Sequence, residues 1–124
     1  MMARTTPELR VLAEHWIQMW ISRDLDGIMA HYAPDIEFEA NTVVRRWQKP
    51  DGKLHGLSEL RRHFQAGLEM APNLHFELES FFTTPSGYAV LYRRDNGNRV
   101  LDAVELNKDG LAARVKAYYA DEQR

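Results

Sequence analysis

The chain has 124 residues, 44% of them hydrophobic, with three Trp, five Tyr and five Phe, enough to bury one core in a single domain spanning 1–124. Its 16 Lys and Arg against 18 Asp and Glu leave a net charge of -2, so no broad basic field is offered to nucleic acid or to an anionic membrane surface. There is no Cys, which excludes disulfides, thiolate nucleophiles and cysteine-based zinc sites and suits a cytoplasmic location. The opening "MMARTTPELR" shows no apolar signal core behind Arg4, and no apolar run approaches the ~18 residues that span a bilayer.

Thr6-Pro7-Glu8 reads as a helix start, with a hydroxyl cap, proline at the first helical position and an early acid that suits the dipole. Leu9, Leu12, Trp16, Ile17 and Trp20 then mark one apolar stripe. Asp24 is placed to cap a short second helix carrying Leu25, Ile28, Met29 and Tyr32, which Ala33-Pro34 ends. In "IEFEA" the period changes to two. Ile36, Phe38 and Ala40 share one face and Glu37 and Glu39 the other, so the strand turns its carboxylates to water. "VVRRWQKPDGKLHG" reads as a loop with at most a short strand, and Leu57, Leu60, Phe64 and Leu68 as a third amphipathic helix closed by Ala71-Pro72. Three or four strands follow, in "LHFELESFFTT", "GYAVLYRRD", "NRVLDAVEL" and "LAARVKAYYA", separated by turn signals at Pro85-Ser86-Gly87, Asn96-Gly97 and Asp109-Gly110. The expectation is an α+β domain in which three helices pack on a curved antiparallel sheet.

The order helix, helix, strand, helix and antiparallel meander, with "DLDGIMAHYAPDIEFE" at residues 24–39 and the later "LDAVELNKDG" and "VKAYYA", resembles the nuclear-transport-factor-2-like superfamily. Within it the chain is most similar to the SnoaL-like and ketosteroid-isomerase-like proteins, over about residues 6–120. The resemblance implies a cone-shaped α+β barrel of the cystatin-like type with an apolar pocket between helices and sheet. It does not imply one reaction, because isomerases, cyclases, hydrolases, dehydratases and binders share the scaffold. Carried over by position, the isomerases' basic aspartate falls on Ala40, their oxyanion tyrosine on Trp16 and their second acid on Asp102. The final-strand aspartate of limonene-epoxide-hydrolase-like members falls at about Ala117.

Asp102 lies between Val100 and Val104 on one strand face, and an acid on an apolar face must be paired, protonated or solvated by a pocket. A two-residue Asn96-Gly97 turn would set Arg93 opposite Val100, diagonal to Asp102, as its partner in proton transfer or in a structural salt bridge. Trp16, Trp20, Phe38, Phe64 and Tyr119 are expected to line the pocket or to fill it. His55 and His63, beside and within the third helix, are candidates to act near neutral pH; His15, His31 and His75 are weaker ones. Arg45, Arg46, Lys49 and Lys53 around Trp47 border the expected mouth, as an attraction for an anion or as a solvated loop. No histidines sit four apart on a helix beside an acid, so neither metal nor cofactor is expected. The reading is a cytoplasmic protein holding a hydrophobic small molecule, with catalysis by Asp102 as one alternative. Another is a dimeric scaffold paired through the outer sheet face, where "FFTT", Leu101 and Tyr118 lie.

Overall fold

The computed structural model describes residues 4–121, in the order α1 (Thr6–Ile21), α2 (Leu25–Met29), β1 (Tyr32–Ala40), α3 (Asn41–Trp47), β2 (Lys53–His55), α4 (Leu57–Met70), β3 (Phe76–Thr84), β4 (Gly87–Arg94), β5 (Arg99–Leu106) and β6 (Ala112–Tyr119). Helix α1 is capped one residue earlier than Thr6. The Thr5 hydroxyl accepts from the Glu8 N–H at 3.3 Å and Glu8 Oε1 accepts from the Thr5 N–H at 2.8 Å, a reciprocal box that puts Pro7 at the second helical position. Asp24 caps α2 through the Gly27 N–H at 2.9 Å. That helix stops at Met29, and Tyr32, Ala33 and Pro34 already belong to β1. Pro34 is tolerated because the β1–β6 ladder is irregular between Tyr32 and Glu37, where a missing N–H breaks no regular pairing.

The strands form one six-stranded sheet in the order β2-β1-β6-β5-β4-β3, which curves without closing. Four pairings are antiparallel and β1–β6 is parallel, because the chain passes through α3, β2, α4 and the meander before β6 returns beside β1. Helix α1 packs on β3 and β4, and α4 on β1 and β2. Ile36, Val90, Val100 and Val115 fill the inner face beneath them. Glu37 lies on the outer face, 3.8 Å from Lys53 Nζ and 3.9 Å from His55 Nδ1. The acids of "IEFEA" therefore stay outside the hollow, as their period demands.

Helix α3 stands where the sequence suggests a loop. Its β-branched Thr42, Val43 and Val44 are weak helix formers and show no stripe. Tertiary packing holds it: the helix packs on β1, β2 and β6 with Val43 fully buried, and Gln48, in the left-handed region at φ 52°, ends it. Among the described residues no helix is long and apolar enough to cross a membrane.

Candidate functional site

The interior face of the sheet and the helices enclose a cavity of about 210 Å³. Its apolar wall is aromatic. Trp16 and Trp20 come from α1 because they are four apart on one face, Phe64 from α4, Phe38 from β1 and Phe76 from β3. Trp20 meets Phe64 edge-on with centroids 4.9 Å apart, and Phe38 meets Phe64 at 5.5 Å, so the wall is a packed set of rings held in fixed orientations.

Asp102 reaches this cavity from β5, 4% exposed, beside Ala117 and Tyr119 of β6. The Tyr92 hydroxyl donates to its Oδ1 at 3.5 Å, a long and weak hydrogen bond. Burial pushes the Asp102 carboxyl up to about 7, and the Tyr92 hydrogen bond offsets only part of that. Tyr32, Tyr88, Tyr92 and Tyr119 all have their phenols pushed upward, first by burial and then by this carboxyl. Asp102 is thus a proton-holding group among phenols, charged or neutral according to small changes near neutral pH.

Arg93 is not its partner. The hairpin turns through three residues, Asp95-Asn96-Gly97: the Arg94 N–H donates to the Asn98 carbonyl at 2.7 Å and the Gly97 N–H to the Arg94 carbonyl at 2.9 Å. Gly97, at φ 86°, supplies the left-handed residue that such a loop needs. The register moves by one, so Arg93 opposes Arg99 and Val90 opposes Asp102. A shift of one residue reverses every side chain. Arg93 accordingly lies outside, donating to Glu79 Oε2 from Nε at 3.1 Å and Nη2 at 2.9 Å, and its neighbour Arg94 enters the cavity wall.

Trp16, Trp20, Phe38, His63, Phe64, Asp102 and Tyr119 are brought together around the cavity; Ala40, His55 and Arg93 are not among its lining residues. Ala40 is buried at the start of α3, where its N–H donates to the Gly52 carbonyl at 3.0 Å, and it borders a separate cleft with β6. His55 is exposed beside Glu37 on the outer side of β2. At the position of the isomerases' tyrosine, the Trp16 indole N–H donates to the Tyr32 hydroxyl at 2.8 Å and so is already engaged.

His63 has a structural assignment. Its Nδ1 accepts from Trp47 Nε1 at 3.0 Å and from Arg46 Nη1 at 3.2 Å, which leaves the proton on Nε2, 3.3 Å from Thr42 Oγ1. Burial and then the Arg46 charge push it down to about 4, so it is neutral at pH 7 with its lone pair occupied. The expectation that it acts near neutral pH does not fit that environment. On the far side of α1, His15 Nδ1 and His31 Nε2 lie 2.7 Å apart, and burial, then His15, push His31 down to about 4. The basic cluster divides: Lys49 pairs with Glu59 at 3.5 Å and Lys53 with Glu37, whereas Arg46 turns inward and donates to the His63 carbonyl at 2.9 Å. Tyr92 and Arg94 were missed by sequence reading. They share a β4 face with Tyr88 and Val90, a period-two signal that identifies them once the face of Val90 is known. Among the described residues no group of three or more His, Asp or Glu is arranged to hold a metal ion.

The model of the SnoaL-like domain matches residues 13–115. A SnoaL-like protein of unknown function from Burkholderia thailandensis is similar in structure, with a TM-score of 0.91, 28% identity, and 95% of this chain and 98% of that one covered. A Mycobacterium tuberculosis protein in complex with estradiol-17beta-hemisuccinate gives a TM-score of 0.69 at 18% identity over 92% and 95% of the two chains. A protein with cystatin-like fold from Methylobium petroleophilum gives 0.74 at 14% identity over 98% and 82%. The latter two likenesses are of fold. No curated protein matches the chain. With most of its length matched by the family model and its α+β architecture shared with these structures, the chain belongs to the SnoaL-like domain family.

Proposed function

We propose that this chain binds a compact hydrophobic small molecule in the cavity between α1, α4 and the sheet. The observation that carries the reading is the cavity itself, walled by Trp16, Trp20, Phe38, Phe64 and Phe76 with one buried acid, Asp102, at its inner side. Aromatic rings burying an apolar ligand, with a few polar groups to orient it, are the usual composition of a small-molecule site. Its volume of about 210 Å³ favours a compact ligand or one that extends through the mouth. The complex of the Mycobacterium tuberculosis protein with estradiol-17beta-hemisuccinate supports a small-molecule ligand on this fold. Asp102, poised near neutrality by burial, favours a second reading in which the bound molecule is also turned over by proton transfer, as in an isomerase, cyclase or hydrolase. The protein in this reading is a cytoplasmic, one-domain homodimer paired through the outer sheet face and independent of nucleic acid, membrane, metal and cofactor.

The test is a thermal-shift screen of the purified protein with steroids, polyketides and epoxides, joined to native mass spectrometry for co-purifying ligands. A ligand at 100 times its dissociation constant adds about 2.7 kcal/mol of stability. The reading predicts stabilisation by apolar compounds, reduced when Trp20→Ala opens the wall. A panel that leaves the melting temperature unmoved throughout would falsify it. Conversion of a bound compound by wild type but not by Asp102→Asn selects the catalytic reading.

A further inference from the structure

Two buried side-chain atoms lack a hydrogen-bond partner among the described residues, and both are donors: Trp20 Nε1 and Arg94 Nε. Both residues line the same cavity. Buried donors are normally satisfied, because leaving one unmade forfeits its hydration without return. Two orphans of the same sign at one cavity point to acceptor atoms on whatever fills it.

The charge distribution points the same way. Arg46 enters the cavity wall from α3 and Arg94 from the end of β4. Arg46 donates to the neutral His63 ring and carbonyl and to the Met70 thioether, none of which carries negative charge. Neither arginine forms an ion pair among the described residues, although Arg93, one position before Arg94, is paired with Glu79. Asp102, the acid in the cavity, takes its hydrogen bond from the Tyr92 hydroxyl, and among the described residues it forms no ion pair with either arginine. Arg46 is lowered first by burial; Tyr119 offsets part of that, and the charges of Arg45 and then Arg94 lower it further, so the two guanidinium groups at the hollow carry like charge without a counter-ion among the described residues.

We propose that the cavity is a site for hydrophobic carboxylates, the acid group held by Arg46 and Arg94 with Trp20 Nε1 as a further donor, and the apolar body against the aromatic wall. The proposal rests on the reading of the cavity as a small-molecule site. It adds the ligand's charge and the residues that select it. Guanidinium groups suit this role because their planar donors match the two oxygens of a carboxylate. Lys49 and Lys53, already paired on the surface, take no part.

The experiment compares 2-naphthoate with neutral 2-naphthylmethanol by isothermal titration calorimetry, on wild type, Arg94→Gln and Arg46→Gln. A charge-assisted hydrogen bond is worth about 1.5–3 kcal/mol, so wild type should favour the carboxylate by about tenfold or more. Each substitution should remove most of that preference, weakening the carboxylate about tenfold or more and the alcohol far less. The two variants lie on different elements, so misfolding of one does not remove the test, and the selectivity of wild type tests it without either. Equal binding of both compounds by wild type, or carboxylate binding indifferent to both substitutions, overturns the proposal while the apolar pocket stands. Binding of neither compound overturns the pocket reading and this proposal together.

Discussion

Asp102 holds its carboxyl among four tyrosines, where its protonation becomes part of the folding equilibrium. Its folded pKa is raised from 3.8 to about 7. Across that window the unfolded chain releases a proton that the native state keeps, so stability from this group falls as pH rises and is lost above about 7. His31 and His63 act in the opposite sense. Their folded values lie near 4 against 6.5, so the unfolded chain takes up protons first and stability falls as pH drops through that range. Asp102→Asn removes the first contribution and leaves the other two. The variant should therefore gain on wild type as pH rises from about 4 to 7, by an amount on the order of a few kcal/mol, and hold that gain above 7. Urea unfolding across this pH range measures it, and a difference that does not change with pH would contradict a buried, proton-holding Asp102. The residue was legible in the sequence because an acid between two valines on one strand face is conspicuous. Its surroundings were not, since Tyr32, Tyr88, Tyr92 and Tyr119 converge from three strands.

At the scale of the element, the β4–β5 hairpin decides which arginine the cavity sees. Asn96-Gly97 is compatible with a two-residue turn, which would turn Arg93 inward, and with the three-residue loop that forms, which turns Arg94 inward. Both turns use the same residues, so local chemistry does not choose between them; the pairing of Tyr88, Val90 and Tyr92 with Val104, Asp102 and Val100 does. Gly97 has no atoms near the position of a Cβ, and its φ of 86° is its whole requirement. Gly97→Ala should thus cost about 1 kcal/mol by denaturant unfolding, through backbone conformation and not through a clash. A neutral result would mean that the loop relaxes without the left-handed residue. Helix α3 carries a similar lesson. Thr42 and Arg46 reach the cavity because α3, with Val43 buried, packs on strands far apart in sequence, a force absent from the local pattern.

For the whole molecule, the sheet curves around the cavity and leaves a broad outer surface. Phe82 and Tyr118 are 56% and 53% exposed there, near a groove between Ala89, Ala103 and Lys116. Large apolar side chains on a strand face bordered by charge are the usual composition of a self-association surface. A double substitution, Phe82→Glu with Tyr118→Glu, should convert the proposed homodimer to a monomer in sedimentation velocity while leaving naphthoate binding intact. An unchanged sedimentation coefficient would rule out this face as the dimer contact. The cavity and the outer face lie on opposite sides of the same strands, and alternation along each strand serves both.

Periodicity by itself settled much of this protein: the stripe of α1, the change to period two at Ile36, the exile of Glu37 and Glu39 to the outer face, the meander, and an acid buried on β5. These depend on which side of one element a residue occupies, and 3.6- and 2-residue repeats encode that locally. Strand register, the inward turn of Arg94, helix α3, the neutrality of His63 and the orphaned donors at Trp20 and Arg94 were decided only by the tertiary structure. Each depends on distances and desolvation between groups remote along the chain, which appear when separate elements close around a shared interior.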